Sequence, residues 1–178
     1  MVLENKKGFV LLISGLSGSG KSYLANLLKD YLNKERNKDI YILDGDVTRK
    51  FFDHDLAFGE EARAESGRRL CFGASLLSNN GKDVVITCIM GTEELRKMMK
   101  NKVDFIEIFM DADINDCIKN DPKGIYERNM KLEKPDLRGI DLPFNKPEDA
   151  ALILYPYKET PEESLKKLVN FLEEKKLI

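Results

Sequence analysis

The chain is short of several features that would assign it to a large protein class. It has three cysteines, Cys71, Cys88 and Cys117, in 178 residues. Their odd number and wide spacing exclude a disulfide framework and a cysteine-based zinc site, leaving reduced core thiols, with Cys117 inside a helical pattern. The only histidine, His54, lies in "DHDLAF" and reads as a loop residue rather than a proton shuttle. No apolar run approaches the length of a membrane span, and "MVLENKKGF" has no signal-peptide pattern, so a cytoplasmic protein with no membrane partner is expected. Basic residues number 29 against 31 acidic, a net charge of −2, which offers no electrostatic footprint for a nucleic-acid polymer. Internal repeats and low-complexity tracts are also missing. What remains is ordinary: 42% hydrophobic and 34% charged residues, read as one domain over residues 1–178 with a core of its own.

Five short apolar runs, "GFVLLIS" (8–14), "DIYILD" (39–44), "DVVITCI" (83–89), "DFIEIFM" (104–110) and "AALIL" (150–154), read as parallel strands buried on both faces. Helical patterns separate them. Leu70, Ala74 and Leu77 share one face, as do Leu165, Leu168, Val169 and Leu172. Such alternation predicts an α/β fold with right-handed crossovers. Residues 121–149 fit neither period; they are polar and proline-rich, the signature of a functional segment such as a lid.

The first strand runs directly into Gly15-Leu16-Ser17-Gly18-Ser19-Gly20-Lys21-Ser22, which satisfies G-x-x-x-x-G-K-[ST] and opens the helix "KSYLANLLKDYL". Glycines at 15, 18 and 20 let successive N–H groups turn inward onto phosphate oxygens, and the helix N-terminus adds positive potential. Lys21 reaches the β and γ phosphates, and the Ser22 hydroxyl is a Mg²⁺ ligand. The expected cofactors are therefore ATP and Mg²⁺.

The second strand ends in Asp44, Gly45, Asp46 and Arg49, at the sheet edge where α/β proteins bind ligands. A carboxylate there can accept a hydroxyl proton or hold Mg²⁺ through water, and Arg49 can hold an anionic acceptor. Asp-Gly is also a common turn pair, and a turn with solvated acids is the alternative.

Taken in order, "GLSGSGKS", "LDGDVTR", "DLAFGEEARAESGRR", "DPKGIYER" and "GIDLPF" with "PEDAALIL" resemble the adenylylsulfate (APS) kinase family over most of residues 8–154. That resemblance implies a P-loop NTPase fold of the nucleoside-monophosphate-kinase type, with about five parallel strands, helices on both faces and a lid over 121–149. It implies transfer of the ATP γ-phosphate to the ribose 3′-hydroxyl of a small nucleotide acceptor, by an enzyme that is often a homodimer. By position, Asp44 resembles the family's catalytic base and Asp46 its second acid. Arg49 and Arg63 resemble the holders of the acceptor's 5′-anhydride and ribose, Phe58 an aromatic stacked on its base, and Lys123 the lid lysine. Read without the family, Phe58 is equally a core aromatic and Arg63 part of a solvated helix face. Shikimate and gluconate kinases share the P-loop but lack this ordered set.

Departures from the family pattern gather on the acceptor side. "IMGTE" stands where the family has "ISPFR", Ser66 stands for an asparagine, and "ERNMKLEKPDLRGID" for "KKARAGEIKGFTGID". Met130 replaces an arginine, and Leu137 and Arg138 replace Phe-Thr. Loss of that phenylalanine removes roughly 1–3 kcal/mol of base stacking, while Arg138 is expected to add a fork donor beside the acceptor pocket. These changes lean toward a cytidine diphosphoramidate-type acceptor, as used in capsule biosynthesis. The alternative is adenylylsulfate, giving 3′-phosphoadenylylsulfate. A non-catalytic P-loop regulator is a second alternative, and the choice of base between Asp44 and Asp46 stays open.

Overall fold

The computed structural model describes residues 7–52, 59–121, 123–133 and 135–178. Each of the five apolar runs forms a strand: β1 Val10–Gly15, β2 Ile40–Asp44, β3 Asp83–Cys88, β4 Ile106–Met110 and β5 Leu152–Leu154. They pair in parallel in the order β2-β3-β1-β4-β5, the α/β architecture expected. All six residues of β1 are buried, because this central strand is covered on both faces.

Alternation along β1 divides the core into two layers. Leu11 and Ile13 join Val85 and Ile108 beneath α1 (Lys21–Arg36) and α7 (Pro161–Glu174), packing against Leu24, Leu28, Leu168 and Leu172. Val10 and Leu12 join Val84 and Ile86 on the other face, beneath α3 (Glu60–Asn79) and α4 (Glu93–Lys100), packing against Leu70, Ala74 and Met99. Each fully buried leucine or isoleucine contributes about 1.5–3 kcal/mol. Helix starts are also set locally: Thr160 and Glu163 close a capping box at α7, with Pro161 at its first position.

Strand order places the functional edge. The chain leaves β1 for β2 on one side and later returns to β4 on the other, so the carboxyl ends of β1 and β3 face an open crevice. Above it lie the described residues of 121–149, irregular among themselves except for the short α6 (Ile125–Asn129) and an Arg138–Leu142 bridge. Its apolar side is anchored, since Tyr126 and Leu137 join Leu16, Ala112 and Cys117 in a third cluster. Ala112 and Cys117 come from the connection after β4 and from α5 (Ile114–Asn120). Among the described residues no helix is long and apolar enough to cross a membrane.

Candidate active site

β1 hands directly to the glycine-rich loop. Gly15 has φ of 151°, and a Cβ there would stand 2.8 Å from the carbonyl oxygen of Met110 and from Ser19 Oγ; no other residue fits so close to β4. Ser19 is buried and its hydroxyl has no partner among the described residues, an orphan donor inside the loop. The Lys21 ammonium folds back to donate to the Leu16 carbonyl at 2.6 Å. Desolvation lowers its pKa to about 8, although Cys88, Asp46, Cys117 and Asp44 act in the opposite direction. A cation held at this cost, next to an unmet hydroxyl, fits an arriving phosphate. Two tyrosines brace the loop from outside: Tyr126 Oη donates to the Ser17 carbonyl and Tyr157 Oη to that of Gly18, both at 2.8 Å.

The Asp-Gly pair after β2 is not a turn. It starts α2 (Gly45–Phe51), with Asp44 as N-cap accepting from the Asp46 and Val47 amides at 2.9 and 3.3 Å. Sheet register sets Asp44 opposite Thr87, and Asp44 Oδ2 accepts from Thr87 Oγ1 at 2.7 Å and from Ser22 Oγ at 2.5 Å. Burial works against the ionised carboxyl, but these side-chain and backbone donors outweigh it and hold Asp44 below its ordinary value. Asp46 is exposed and accepts from Lys123 Nζ at 2.8 Å. That hydrogen bond raises the Lys123 pKa, partly opposed by desolvation.

Two cavities meet here. The smaller, about 170 Å³, is lined by Lys21, Ser22, Asp44, Thr87 and Lys123. The larger, about 500 Å³, is lined by Arg49, Arg63, Ser66, Met90, Asn129 and Leu137, among others. Ser17, Asp46, Cys88, Ile89 and Ile125 belong to both walls. Desolvation pushes the Cys88 thiol up to about 12, so no thiolate nucleophile stands between them at neutral pH. Behind Gly18 and Gly20 a third, mostly apolar pocket of about 250 Å³ is walled by Tyr23, Leu24, Met110, Pro156 and Tyr157.

The larger cavity brings together most of the acceptor-side residues read from the sequence, with exceptions. Arg49 faces it without an ion-pair partner among the described residues. Arg63 is paired with Asp136. Ser66 and Leu137 are buried in its wall. Arg138 does not join them, contrary to expectation: only 1% exposed, its guanidinium grips the Glu60 carboxylate and donates to the Pro143 carbonyl at 2.8 Å. A buried guanidinium must be paired, and its shaft runs so near Gly91 that a Cβ there would lie 2.4 Å from Nε. Phe58 and His54 lie outside the described residues.

One buried network was not legible. Arg96, 1% exposed, donates to Glu107 and to the carbonyls of Met90 and Asn145. Glu107 in turn accepts from Ser14 on β1 at 2.6 Å. This ties the loop after β3 and the end of the irregular segment to the sheet beneath the cavity.

Among the described residues no cluster of three or more acidic, cysteine or histidine side chains forms a metal cage. Mg²⁺ needs none: it takes one or two protein oxygens with phosphates and water. Ser22 Oγ and Asp44 Oδ2, converging beside Lys21, fit that demand.

Comparison with known proteins gives a consistent result. The adenylylsulphate kinase family model matches residues 7–155. The adenylyl-sulfate kinase of Clostridium acetobutylicum is 37% identical over 175 residues, covering 97% of this chain and 87% of that protein. That of Bacillus pumilus is 35% identical over 175 residues, covering 97% and 88%. The solved structure of Mycobacterium tuberculosis APS kinase in complex with AMPPNP and APS superposes with a TM-score of 0.86 at 35% identity, covering 94% of this chain and 98% of that one.

Proposed function

The chain belongs to the adenylylsulphate kinase family, and from that premise we propose that it transfers the γ-phosphoryl group of ATP to the ribose 3′-hydroxyl of adenylylsulfate. The observation that carries this reading is the shared wall: a phosphate cradle on one side, an arginine-bearing cavity on the other, and Asp46 facing both. Loop amides and Lys21 hold the β and γ phosphates. Ser22 and Asp44 are the residues that would hold Mg²⁺, which would neutralise charge on the transferring group. The pocket behind Gly18 and Gly20 receives the donor base.

Two carboxylates then divide the work. Asp44 accepts from four donors, Ser22 among them, and stays ionised, which suits holding the Ser22 hydroxyl where the metal would bind. Asp46 is the carboxylate that reaches the acceptor cavity, and takes the hydroxyl proton. Arg49 binds the acceptor's 5′-anhydride. Lys123, reaching Asp46 from the irregular segment, closes that segment as a lid over both nucleotides.

Adenylylsulfate is favoured because full-length relatives at 35–37% identity are adenylyl-sulfate kinases. Part of the case for a cytidine diphosphoramidate-type acceptor rested on Arg138, which is turned away toward Glu60. That second reading keeps one supporting observation, an aliphatic wall of Met90 and Leu137 where a stacking aromatic would grip adenine. The test is ADP release from Mg²⁺-ATP with adenylylsulfate, cytidine diphosphoramidate, CDP or no acceptor, with the product's phosphate placed by phosphorus NMR. Turnover with adenylylsulfate and a 3′-phosphate product is expected. Turnover only with a cytidine compound would transfer the assignment, and hydrolysis indifferent to acceptor would refute a kinase.

A further inference from the structure

The wall of the larger cavity contains an internal ion pair that the acceptor must meet. Arg63, on α3, donates through Nη2 to the Asp136 carbonyl at 2.6 Å and to its carboxylate. Both side chains are part-buried, at 22% and 17% exposure, and both line the cavity. Arg63 Nε is fully buried and has no acceptor among the described residues, so Asp136 satisfies the guanidinium only in part. The backbone that carries Asp136 is held in place by the loop itself. Asp136 N donates to Asn129 Oδ1 at 3.1 Å, Asn129 Nδ2 to Asp141 at 2.7 Å, and Leu137 N to the same Asp141 oxygen at 2.8 Å.

Charge on this wall is therefore smaller than its arginines suggest. Arg128 spends Nε and Nη2 on the Gly124 and Lys123 carbonyls, and Asp46 is matched by Lys123. With Asp136 opposing Arg63, Arg49 and Arg128 are the cavity-lining cations left without a counter-ion among the described residues. An extra negative charge on the acceptor would meet the Asp136 carboxylate as well as the arginines, and like charges at close range in a part-buried site repel strongly.

We propose that Asp136 is a specificity-determining residue: it acts as a built-in counter-ion to Arg63 and screens the acceptor cavity against more highly charged 5′-anhydrides, nucleoside diphosphates above all. This rests on the reading of the larger cavity as the acceptor site. ADP is both a product and a nucleotide with a free 3′-hydroxyl, so such a screen keeps the acceptor cavity clear of it.

The test is binding, not turnover. With the donor site saturated by a non-hydrolysable ATP analogue and Mg²⁺, calorimetry measures AMP and ADP in the wild type and in Asp136→Asn, which keeps the side chain's shape and the backbone bonds. The variant should bind ADP about tenfold tighter, equivalent to roughly 1.4 kcal/mol, and AMP by a distinctly smaller factor. Asp136→Gly, which deletes the side chain, should reproduce the shift, and thermal melting checks that both variants fold. Equal changes for AMP and ADP, or none, would overturn the proposal. Failure of the acceptor panel would refute the kinase reading separately, because this titration needs no phosphoryl transfer.

Discussion

The low pKa of Lys21 makes nucleotide binding a proton-linked event, and its size follows from the structure. Without ligand the ammonium sits at about 8 because burial withholds water from it. At pH 7 roughly nine-tenths of the molecules carry the charge, and at pH 9 roughly one-tenth. Polyphosphate at the loop supplies the missing counter-charge and returns the lysine toward its ordinary value of about 10.4. The sign is then fixed: the ligand selects charged Lys21, so binding takes up protons above pH 8 and weakens as pH rises. Uptake should be about 0.9 proton at pH 9 and about 0.1 at pH 7, so affinity should fall close to tenfold per pH unit around pH 9 and hardly at all around pH 7. Neighbouring Cys88 and Cys117, pushed up to about 12 and 11, stay protonated through this window. Calorimetry of Mg²⁺ with a non-hydrolysable ATP analogue, in paired buffers of different ionisation enthalpy, reads the proton count directly. Lys21→Met should bind more weakly and lose the pH 9 uptake. The same uptake at both pH values, or uptake that survives in Lys21→Met, would refute the reasoning.

Two further outcomes are expected. Asp46→Asn should lower kcat by about 10²–10⁴-fold with little change in the KM for ATP, whereas Asp44→Asn should also raise that KM, since it loosens Ser22 and the metal position; steady-state kinetics of the pair separates the roles, and the reverse pattern would exchange them. Arg96→Met should destabilise the fold by about 3–5 kcal/mol by stranding the buried Glu107 charge, with thermal melting as the readout; adding Glu107→Gln should recover part of the loss, and no recovery would show that Arg96 matters through its carbonyl contacts instead.

The strands were readable because parallel strands buried on both faces leave uninterrupted apolar runs, and the phosphate loop because its spacing has few other uses. Helix α2 was hidden by composition: Asp-Gly satisfies turn statistics, yet Asp44 caps a helix. Arg138 shows a different limit. Sequence gives a guanidinium's place on the chain, not its direction, and only the fold reveals Glu60 waiting on the opposite side. Other site contacts are long-range pairs with no local signature. Arg63 and Asp136 lie 73 residues apart, Tyr126 and Ser17 109, Tyr157 and Gly18 139. Lys123 and Asp46, 77 apart, were linked beforehand only through family resemblance.

The Arg96–Glu107–Ser14 network has a bearing on how this site can change over generations. It grips the rim of the larger cavity by main-chain oxygens, those of Met90 and Asn145, and Asn145 N closes the link onto the Gly91 carbonyl. Carbonyl grips are indifferent to which side chain a position bears. The side chain at position 90 can therefore change without releasing the hold of Arg96 on the rim backbone, although Met90 and Leu137 also fill buried clusters, so changes there carry a packing cost. A directed library that varies positions 90 and 137 among apolar residues of similar volume, and leaves Ser14, Arg96 and Glu107 alone, keeps the cost in folding low.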